Sequence, residues 1–448
     1  MRAYYQSGAT RPYKARKAAL QSLKSALHRH MDELHAALYT DLRKNAEEAY
    51  ITETGFLLAE ISHTLKHLRQ WMQRERVATN LLNFPSRSFI YKEPLGVVLI
   101  IGPWNYPLQL LLAPLIGAIA AGNCAVLKPS EFAPATAKAV STIIREVFLP
   151  SQVLVVEGDG AAVIPPLAKA FRFDHIFYTG STQVGRSIYS MAAASLTPVT
   201  LELGGKSPCV VEADADITVT AKRIAVAKFS NAGQMCVAPD YLLVHQSLKE
   251  YLVAALSGQV RAFYSEEPAK DYHFGRIINE RQFKRLVQYL GEGNILLGGK
   301  HDEGSLFIEP TLLDGVDAAS SIMQEEIFGP LLPIITFQTM EEAIAIINRN
   351  PDPLAFYIFT RSNVKAEQWL ERVHFGGGCV NNVSWHLTNF NLPFGGRGNS
   401  GTGAYHGKFS FDVFTHRKAV MKTPLWFDPS LKYPPFKGKI NLFKKLIK

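Results

Sequence analysis

The feature that most constrains the fold is an alternation of short apolar runs with helical stretches, which begins at Val97. The runs read "VVLIIG", "CAVLK", "VLVVE" and "HIFYTG", and each is followed by a helical stretch of roughly a dozen residues or more. This alternation is typical of βαβ units, so we predict a parallel sheet with helices on both faces. Ligands bind at the carboxyl ends of such strands. Those ends here carry "GPWNYP", "KPSE", "EGDG" and "TGSTQVG", which predicts a nucleotide site.

A second alternating region follows "LELGGKSPCVVE" and contains the strand-like runs "YLLVH", "LLPIITF" and "AFYIFT". It predicts a second α/β domain. Residues 12–76 instead repeat leucine and methionine at three- and four-residue steps, which predicts amphipathic helices. The predicted fold class is therefore α/β, with two parallel-sheet domains.

The bulk properties exclude several classes of protein. Pro94 to Leu127 holds no charged residue, but prolines and asparagines interrupt it, so we predict buried strand, loop, helix and strand rather than a membrane span. The N-terminus lacks an apolar signal stretch and the four cysteines lie far apart, which predicts a reducing, cytoplasmic location. The net charge is +9, yet no nucleic-acid motif accompanies it, so we predict no nucleic-acid partner.

The C-terminal residues 427–448 are predicted to form a basic tail outside the folded body. From Pro429 onward the chain contains six lysines and no acidic residue. A weak peripheral contact with a membrane is one interpretation, because apolar and basic side chains share a helical face: Ile440, Phe443, Leu446 and Ile447 beside Lys444, Lys445 and Lys448. A solvated or subunit-packing tail is the alternative, and the sequence leaves both open.

Several motifs resemble known sites without matching them. "GGKS" lacks the first glycine of a P-loop, since Thr200 stands there, and "EGDGAA" has Val163 at the third glycine of a dinucleotide fingerprint. "TGSTQVG" would place free N–H groups at a helix start, which suits a pyrophosphate as well as an ordinary capped helix. His63 and His67 are spaced i, i+4 but lack a third ligand, so we predict a solvated helix face and no metal.

Cys236 is the cysteine with the most distinctive surroundings. Most lone cysteines are inert and buried, but Gly233, Gln234 and Pro239 around this one predict a flexible turn that would suit a reactive thiolate. A nucleophile also needs an oxyanion donor and a base. Asn105 is a candidate donor, and the apolar setting of Glu202 would raise its pKa and favour base chemistry.

Taken together, the motifs are similar to those of the aldehyde dehydrogenase superfamily. The motifs, in chain order, are "IGPWNYP", "LKPSE", "FYTGSTQVG", "LELGGKSP", "NAGQMCVAPDY", "QEEIFGP" and "LPFGGRGNSGTGAYHGKFSFDVFTH". The short N-terminus, "CVAPDY" and "YHGKFSFD" resemble the class-3 branch, which acts on fatty and aromatic aldehydes. The resemblance covers the chain from about Tyr4 to Pro435.

The resemblance implies a role for each matching residue. Cys236 would be the nucleophile, Glu202 the base that activates water, and Asn105 with the Cys236 N–H the oxyanion hole. The implied cofactor is NAD, with NADP as an alternative, because Glu131 would repel a 2′-phosphate while Lys128 could soften that effect. The residues implied to contact the cofactor are Trp104, Lys128, Glu131, Gly180, Ser181, Thr182, Gln183, Val184, Gly185, Gly204, Glu326 and Phe328.

The implied reaction oxidises medium- or long-chain aliphatic, or aromatic, aldehydes to carboxylic acids through a cysteine thiohemiacetal and thioester. Transfer of the acyl group to coenzyme A and a catalytically silent scaffold are the alternatives. The resemblance also implies a homodimer and an atypical Rossmann cofactor domain. The predicted bounds are residues 1–80 and 93–203 for that domain, 204–402 for the catalytic domain, and 81–92 with 412–426 for a bridging element.

Two positions depart from the pattern of the branch. Met235 stands where threonine is usual beside the nucleophile, and Arg397 replaces a residue that is usually apolar. The tail also lacks the long apolar anchor of membrane-bound relatives.

Overall fold

The N-terminal part of the chain is a helical layer, as the leucine spacing predicts. The computed structural model describes residues 1–447. Leu20, Leu27 and Leu38 are fully buried, so one face of the layer packs on the core. The predicted helical region is divided by a left-handed residue at Arg43 and by a π-helical turn at Tyr50–Thr54. Its helices are α1 Arg2–Gln6, α2 Tyr13–Arg29, α3 Met31–Leu42, α4 Ala46–Ala49 and α5 Gly55–Trp71.

Next come the two strands β1 Glu75–Val77 and β2 Arg87–Pro94, followed by the first large sheet. The elements of that sheet alternate as predicted, and its central strands are buried along their whole length. They are β3 Val97–Ile101, α6 Gln109–Ala121, β4 Cys124–Lys128, α7 Pro134–Val147, β5 Val153–Val155, α8 Gly160–Ala170, β6 His175–Thr179, α9 Thr182–Ala193 and β7 Val199–Glu202.

The uncharged segment 94–127 thus contains β3, a loop, α6 and most of β4, which confirms its assignment to a buried core. Among the described helices, none is long and apolar enough to cross a membrane.

A second α/β unit follows. Its elements are β8 Pro208–Val211, α10 Ile217–Phe229, β9 Tyr241–His245, α11 Lys249–Tyr264, α12 Glu280–Tyr289, β10 Asn294–Leu297, β11 His301–Asp302, β12 Phe307–Ile308, β13 Thr311–Asp314, α13 Ser321–Gln324, β14 Leu331–Phe337, α14 Met340–Ile347, β15 Ala355–Phe359, α15 Asn363–Arg372 and β16 Gly377–Val380. Its seven-stranded sheet has the order β10-β13-β14-β9-β8-β15-β16, and β10 alone in that order is antiparallel to its neighbour.

The chain closes with β17 Gly401–Thr402, α16 Lys408–Val413, β18 Thr415–Lys422 and α17 Ile440–Leu446. β17 adds an antiparallel edge to the first sheet, whose order is β17-β7-β6-β3-β4-β5. β1, β2 and β18 form a separate antiparallel sheet. The predicted α/β class with a small β element is confirmed. The domain bounds stay a prediction, and the small sheet also includes β1, which lies outside the predicted range 81–92.

The tail beyond β18 carries many exposed side chains, and Phe443 packs against Phe436 with ring centroids 5.8 Å apart. Of the apolar and basic face predicted there, the side chain of Leu446 and all of Lys448 lie outside the described residues.

Candidate active site

The turn before Cys236 has an unusual backbone. Asn231, Ala232 and Gly233 have φ values of 50°, 51° and 74°, so three successive residues occupy the left-handed region that side chains normally disfavour. At Gly233 a side chain could not fit, because a Cβ atom there would lie 2.2 Å from the carbonyl oxygen of Gly329. This turn therefore presses directly on the loop that contains Glu326 and Phe328.

Gln234 holds the turn in place. Its side-chain Nε2 donates to the carbonyl oxygens of Asn231 and Arg276 at 3.0 and 2.9 Å, and its Oε1 accepts the N–H of Ile278 at 3.0 Å. A buried amide with three hydrogen bonds fixes both ends of the turn. The strained backbone is thereby kept in one conformation next to Cys236.

Cys236 is half-buried, and two carboxyl groups influence its thiol. Burial raises the pKa of its thiol, and the carboxylates of Glu326 and Glu202 raise that pKa further. In this state the sulfur keeps its proton at neutral pH. The group is a thiol that must lose a proton before it can attack.

Asn105 lies in the loop between β3 and α6 and is buried. Its side-chain Nδ2 donates to the backbone carbonyl oxygen of Gln234 at 3.1 Å. Its backbone carbonyl oxygen accepts a hydrogen bond from Nδ2 of Asn231 at 2.8 Å. The amide nitrogen has two N–H groups. Within residues 1–447 this nitrogen donates one hydrogen bond, so its second N–H group is a free donor beside the Cys236 turn.

Glu202 ends β7 with its carboxyl group buried. Neither carboxyl oxygen has a hydrogen-bond partner within the part of the chain that the structure describes. Desolvation raises the pKa of this carboxyl well above its ordinary value. A buried acid without partners lowers the stability of the fold, so its presence beside a thiol indicates a functional group rather than a packing element.

Glu326 and Phe328 occupy a loop that a buried lysine supports. Lys206 pairs with Asp240 and donates to the carbonyl oxygens of Ile322 and Glu325 at 2.7 and 3.0 Å. Asp240 in turn accepts the N–H of Ile327 at 2.9 Å. Sequence reasoning considered Lys206 only as part of a failed P-loop, although a lysine amid apolar residues was a signal for a buried ion pair.

The environment of Glu326 links this loop to the first sheet. Burial, with the charge of Asp240 as a second cause, raises the pKa of Glu326 to about 8. A Cβ atom on Gly204 would lie 1.8 Å from Oε2 of Glu326, so glycine lets this carboxyl group approach the backbone. The ring of Phe328 stands edge-on to Trp104 with centroids 5.2 Å apart.

The carboxyl end of β4 contains an ionised pair. Lys128 is buried, and its Nζ donates to Oε2 of Glu131 at 2.9 Å. Glu131 also accepts the N–H of Gly160 at 3.2 Å. Burial opposes ionisation, but these hydrogen bonds prevail and lower the pKa of Glu131 below its ordinary value. The carboxylate therefore stays charged at neutral pH.

The start of α9 faces the same edge of the sheet. Ser181 caps the helix by accepting the N–H of Val184, while Thr182 and Gln183 form its first turn. A Cβ atom on Gly180 would meet the Tyr178 hydroxyl at 2.2 Å, and one on Gly185 would meet Leu203 at 2.6 Å. The N–H of Gly180 donates to the carbonyl of Glu202 at 3.0 Å, which joins this turn to the strand that carries the buried acid.

The donor set of this edge fits a dinucleotide. Carboxylates suit ribose hydroxyls, a helix start suits a pyrophosphate, and aromatic side chains suit a nicotinamide ring. Gly180, Gly185 and Gly204 let neighbouring side chains lie close to the backbone along the same path. All fifteen residues named from the sequence therefore lie on connected elements, although their individual roles stay a prediction.

The structure gives contacts to the two departures from the family pattern. Arg397 forms an ion pair with Asp352 at 2.9 Å, so it stabilises a loop contact in which Gly398 approaches the same carboxylate. Met235 is half-buried and packs against the main core. The histidine prediction is wrong in part, because His63 is half-buried, and its ring lies 5.8 Å from Trp71 and 5.3 Å from Phe390.

The comparisons with known proteins agree with this geometry. The model of the "Aldehyde dehydrogenase family" matches residues 2–420. The chain is 45% identical to 4,4'-diaponeurosporen-aldehyde dehydrogenase of Staphylococcus aureus, over 100% of this chain and 97% of that protein. It is also 45% identical to human aldehyde dehydrogenase family 3 member B1, over 97% of this chain and 93% of that protein.

Solved structures support the same relationship. The substrate-bound Staphylococcus aureus AldH superposes with a TM-score of 0.97 at 45% identity, covering 100% of this chain and 98% of the other. An indole-3-acetaldehyde dehydrogenase complexed with NAD+ gives 0.86 at 30% identity, with coverage of 94% and 87%. The Methanocaldococcus jannaschii GapN complexed with NADP gives 0.85 at 25% identity, with coverage of 94% and 92%. The chain belongs to the aldehyde dehydrogenase family, and it is an NAD(P)-dependent aldehyde oxidoreductase.

Proposed function

We propose that this chain oxidises medium- or long-chain aliphatic and aromatic aldehydes to free carboxylic acids, with Cys236 as the nucleophile. The observation that carries the proposal is the buried carboxyl of Glu202. Both of its oxygens lack partners among the described residues, and after burial and Glu326 its ionised form is a further cause of the raised pKa of the Cys236 thiol. Once ionised, a carboxyl held in this way can take a proton from water or from the thiol, and its raised pKa favours keeping that proton.

The first step is addition of the Cys236 sulfur to the aldehyde carbon after the thiol has lost its proton. The free N–H of Asn105 and the backbone N–H of Cys236 would donate to the oxygen that becomes negative. Because the Asn105 side chain and backbone are held by hydrogen bonds with Gln234 and Asn231, little reorganisation of this donor accompanies the charge.

A bound nicotinamide dinucleotide would supply the acceptor for the hydride that leaves the carbon attached to Cys236. Glu131 would hold the adenosine ribose, and the N–H groups at the start of α9 would hold the pyrophosphate. Glu326 and Phe328 would place the nicotinamide end beside the thiol. The negative charge of Glu131 favours NAD over NADP, since it would repel a 2′-phosphate.

Glu202 then completes the reaction by activating water against the Cys236 thioester. A CoA-acylating aldehyde dehydrogenase would not need this base, because the acceptor of its acyl group is already a thiol. A silent scaffold would not need a buried, unpartnered acid at all. Glu202 therefore favours hydrolysis over both alternatives.

Aromatic side chains pack close to the proposed catalytic residues. Burial raises the pKa of the Tyr405 phenol, and the charges of Glu202 and Cys236 raise it further. His406 packs against Tyr405, Phe394 and Phe56, with ring centroids 4.2 to 5.3 Å apart. These buried rings make the surroundings of the site apolar, which favours apolar substrates. The relatives named above act, by their names, on 4,4'-diaponeurosporen-aldehyde and indole-3-acetaldehyde.

We expect kcat/KM to rise with aliphatic chain length over short aldehydes, because each buried methylene contributes about 0.8 kcal/mol, or roughly fourfold. Benzaldehydes should also be oxidised, and NAD should be preferred over NADP. Initial rates across both series with each cofactor test this, together with chromatographic detection of the free acid. A flat dependence on chain length would contradict an apolar substrate site, and acid release only with coenzyme A would contradict hydrolysis.

We also assign the small sheet to a homodimer contact. β1 and β18 are its edges, and edge strands present free N–H and C=O groups for pairing. Just beyond β18, Leu425 and Trp426 are 99% and 76% exposed. Large apolar side chains exposed together are typical of an interface.

The tail is assigned to weak contact with anionic membrane surfaces. Phe436, Ile440 and Ile447 are exposed there, with lysines around them and no acid after Asp428.

Deleting residues 437–448 should reduce co-sedimentation with vesicles that contain anionic lipid and leave neutral vesicles unaffected. The deletion removes apolar side chains together with five lysines. Analytical ultracentrifugation of the same variant should still show a dimer, because the small sheet is intact. Equal partitioning of both forms would dispose of the membrane contact, and a monomeric variant would place the dimer contact in the tail.

A further inference from the structure

A fully buried ion pair lies beneath the loop that carries Asn105. Nζ of Lys44 donates to Oε1 of Glu53 at 2.5 Å, and both side chains are completely shielded from solvent. The two residues come from the helical layer, Lys44 after the left-handed residue Arg43 and Glu53 within the π-helical turn. Both residues lie more than fifty positions before Asn105 in the sequence, so only the fold brings them to the site.

The π-helical turn directs Glu53 inward. Such single turns insert an extra residue into a helix and are frequent at functional sites. The turn depends on Gly55, since a Cβ atom there would lie 2.6 Å from the carbonyl oxygen of Tyr50. The local distortion therefore serves to place one carboxylate in the core.

Glu53 fixes the start of α6. Its Oε2 accepts the N–H groups of Leu108 and Gln109 at 2.9 and 3.1 Å, which are groups that a helix leaves without partners. A carboxylate at this end also complements the helix dipole. The loop that precedes α6 is thus anchored at the point where it enters the helix.

Lys44 fixes the other part of that loop. Its Nζ donates to the backbone carbonyl of Asn105 at 3.3 Å and lies 4.0 Å from the ring centroid of Tyr106. The same Asn105 carbonyl accepts Nδ2 of Asn231 from the nucleophile turn. The backbone of Asn105 is therefore held between the helical layer and the turn of Cys236.

We infer that Lys44 and Glu53 are positioning residues that orient the Asn105 amide toward the oxyanion formed at Cys236. The inference rests on the proposed role of Asn105. Buried ion pairs often stabilise a fold no better than apolar side chains of similar volume, so stability does not explain this pair. Orientation does, because an oxyanion donor is effective only when it is held in advance at the correct place.

The test is the double variant K44M/E53Q, which removes both charges together so that neither is left alone in the core. We expect kcat to fall about 10- to 100-fold, as for a misplaced catalytic group, while the Kd for NADH stays within about twofold of the wild-type value. Addition and hydride transfer should become rate-limiting. The pre-steady-state burst of NADH should then disappear, and an aldehyde deuterated at the carbonyl carbon should react more slowly.

A matched control is Lys365→Met, which breaks the ion pair between Lys365 of α15 and Glu212. This pair does not contact Asn105, so kcat and the burst should be unchanged. Wild-type kcat and burst in K44M/E53Q would overturn the inference. Should that variant fail to bind NADH, Lys44→Met alone provides the same test, because Glu53 keeps its hydrogen bonds to the N–H groups of Leu108 and Gln109.

The combination with Asn105→Ala separates this inference from the proposed function. If Lys44 and Glu53 act through Asn105, the triple variant should be no slower than Asn105→Ala, because the effects are not additive within one unit. Fully multiplicative losses would refute the positioning role. Wild-type turnover in Asn105→Ala alone would instead refute the oxyanion role of Asn105.

Discussion

Cys236→Ala should abolish aldehyde oxidation, with a loss of at least about 10⁴-fold in kcat, because no covalent adduct can form without the thiol. The side chain is half-buried, so its removal creates only a small cavity and the fold should persist. Dinucleotide binding should also persist, since the residues that would hold the cofactor lie on other elements. Titration of NADH fluorescence measures binding, and initial rates measure turnover.

Cys124→Ala, Cys209→Ala and Cys379→Ala are the matched controls. Cys124 and Cys209 are fully buried in β4 and β8, so an aldehyde could not reach either sulfur. Cys379 lies in β16, 3.5 Å from a ring nitrogen of His386. These variants should keep turnover after any loss of stability is allowed for. Substantial dehydrogenase activity in Cys236→Ala would mean that another group attacks the aldehyde.

The sequence predicted the parts of the fold that depend on local periodicity. The alternation after Val97 is a property of each segment, so both sheets and the short turns at their carboxyl ends could be predicted. Cys236, Glu202 and Asn105 could be named because each lies in a run whose chemistry is unusual for its surroundings. The resemblance to the family then connected them.

The supports beneath those residues could not be predicted in this way. Lys44 meets Asn105 across 61 positions and Lys206 meets Asp240 across 34, and neither pair follows a helical or strand period. The π-helical turn that directs Glu53 inward depends on packing against α6. His63 was likewise predicted to lie on a solvated helix face, because the spacing of His63 and His67 shows only that they share a face. The sequence does not show that Phe390, from a distant loop, packs against His63.

Glu202→Gln should pass one hydride and then stall. Glutamine keeps the shape of the side chain but cannot accept a proton. A stopped-flow trace should therefore show a burst of about one NADH per active site and then a steady state slowed by at least about 100-fold, as expected when a general base is lost. Mass spectrometry of the quenched burst should find the acyl group on Cys236. Glu202→Asp, which keeps a carboxylate, is the control for charge and should retain some turnover.

The raised pKa of Glu202 predicts two further effects of pH on the same variant. The steady-state rate of the wild type should rise with pH as Glu202 loses its proton, and this dependence should disappear in Glu202→Gln. The folded state holds the proton above the ordinary pKa of 4.5, whereas the unfolded state releases it. Wild-type stability should therefore fall as pH rises from that value toward the raised pKa, by up to about 1.4 kcal/mol per pH unit.

Glutamine has no proton to lose, so Glu202→Gln should melt at a higher temperature than the wild type, and the gap should widen from pH 5 to pH 8. Thermal melts at both pH values measure this independently of activity. A burst with a stalled steady state and a widening gap would identify Glu202 as the base for water. A folded variant that binds cofactor but passes no hydride would instead show that Glu202 removes the proton of Cys236, because then even the first addition would need its carboxylate.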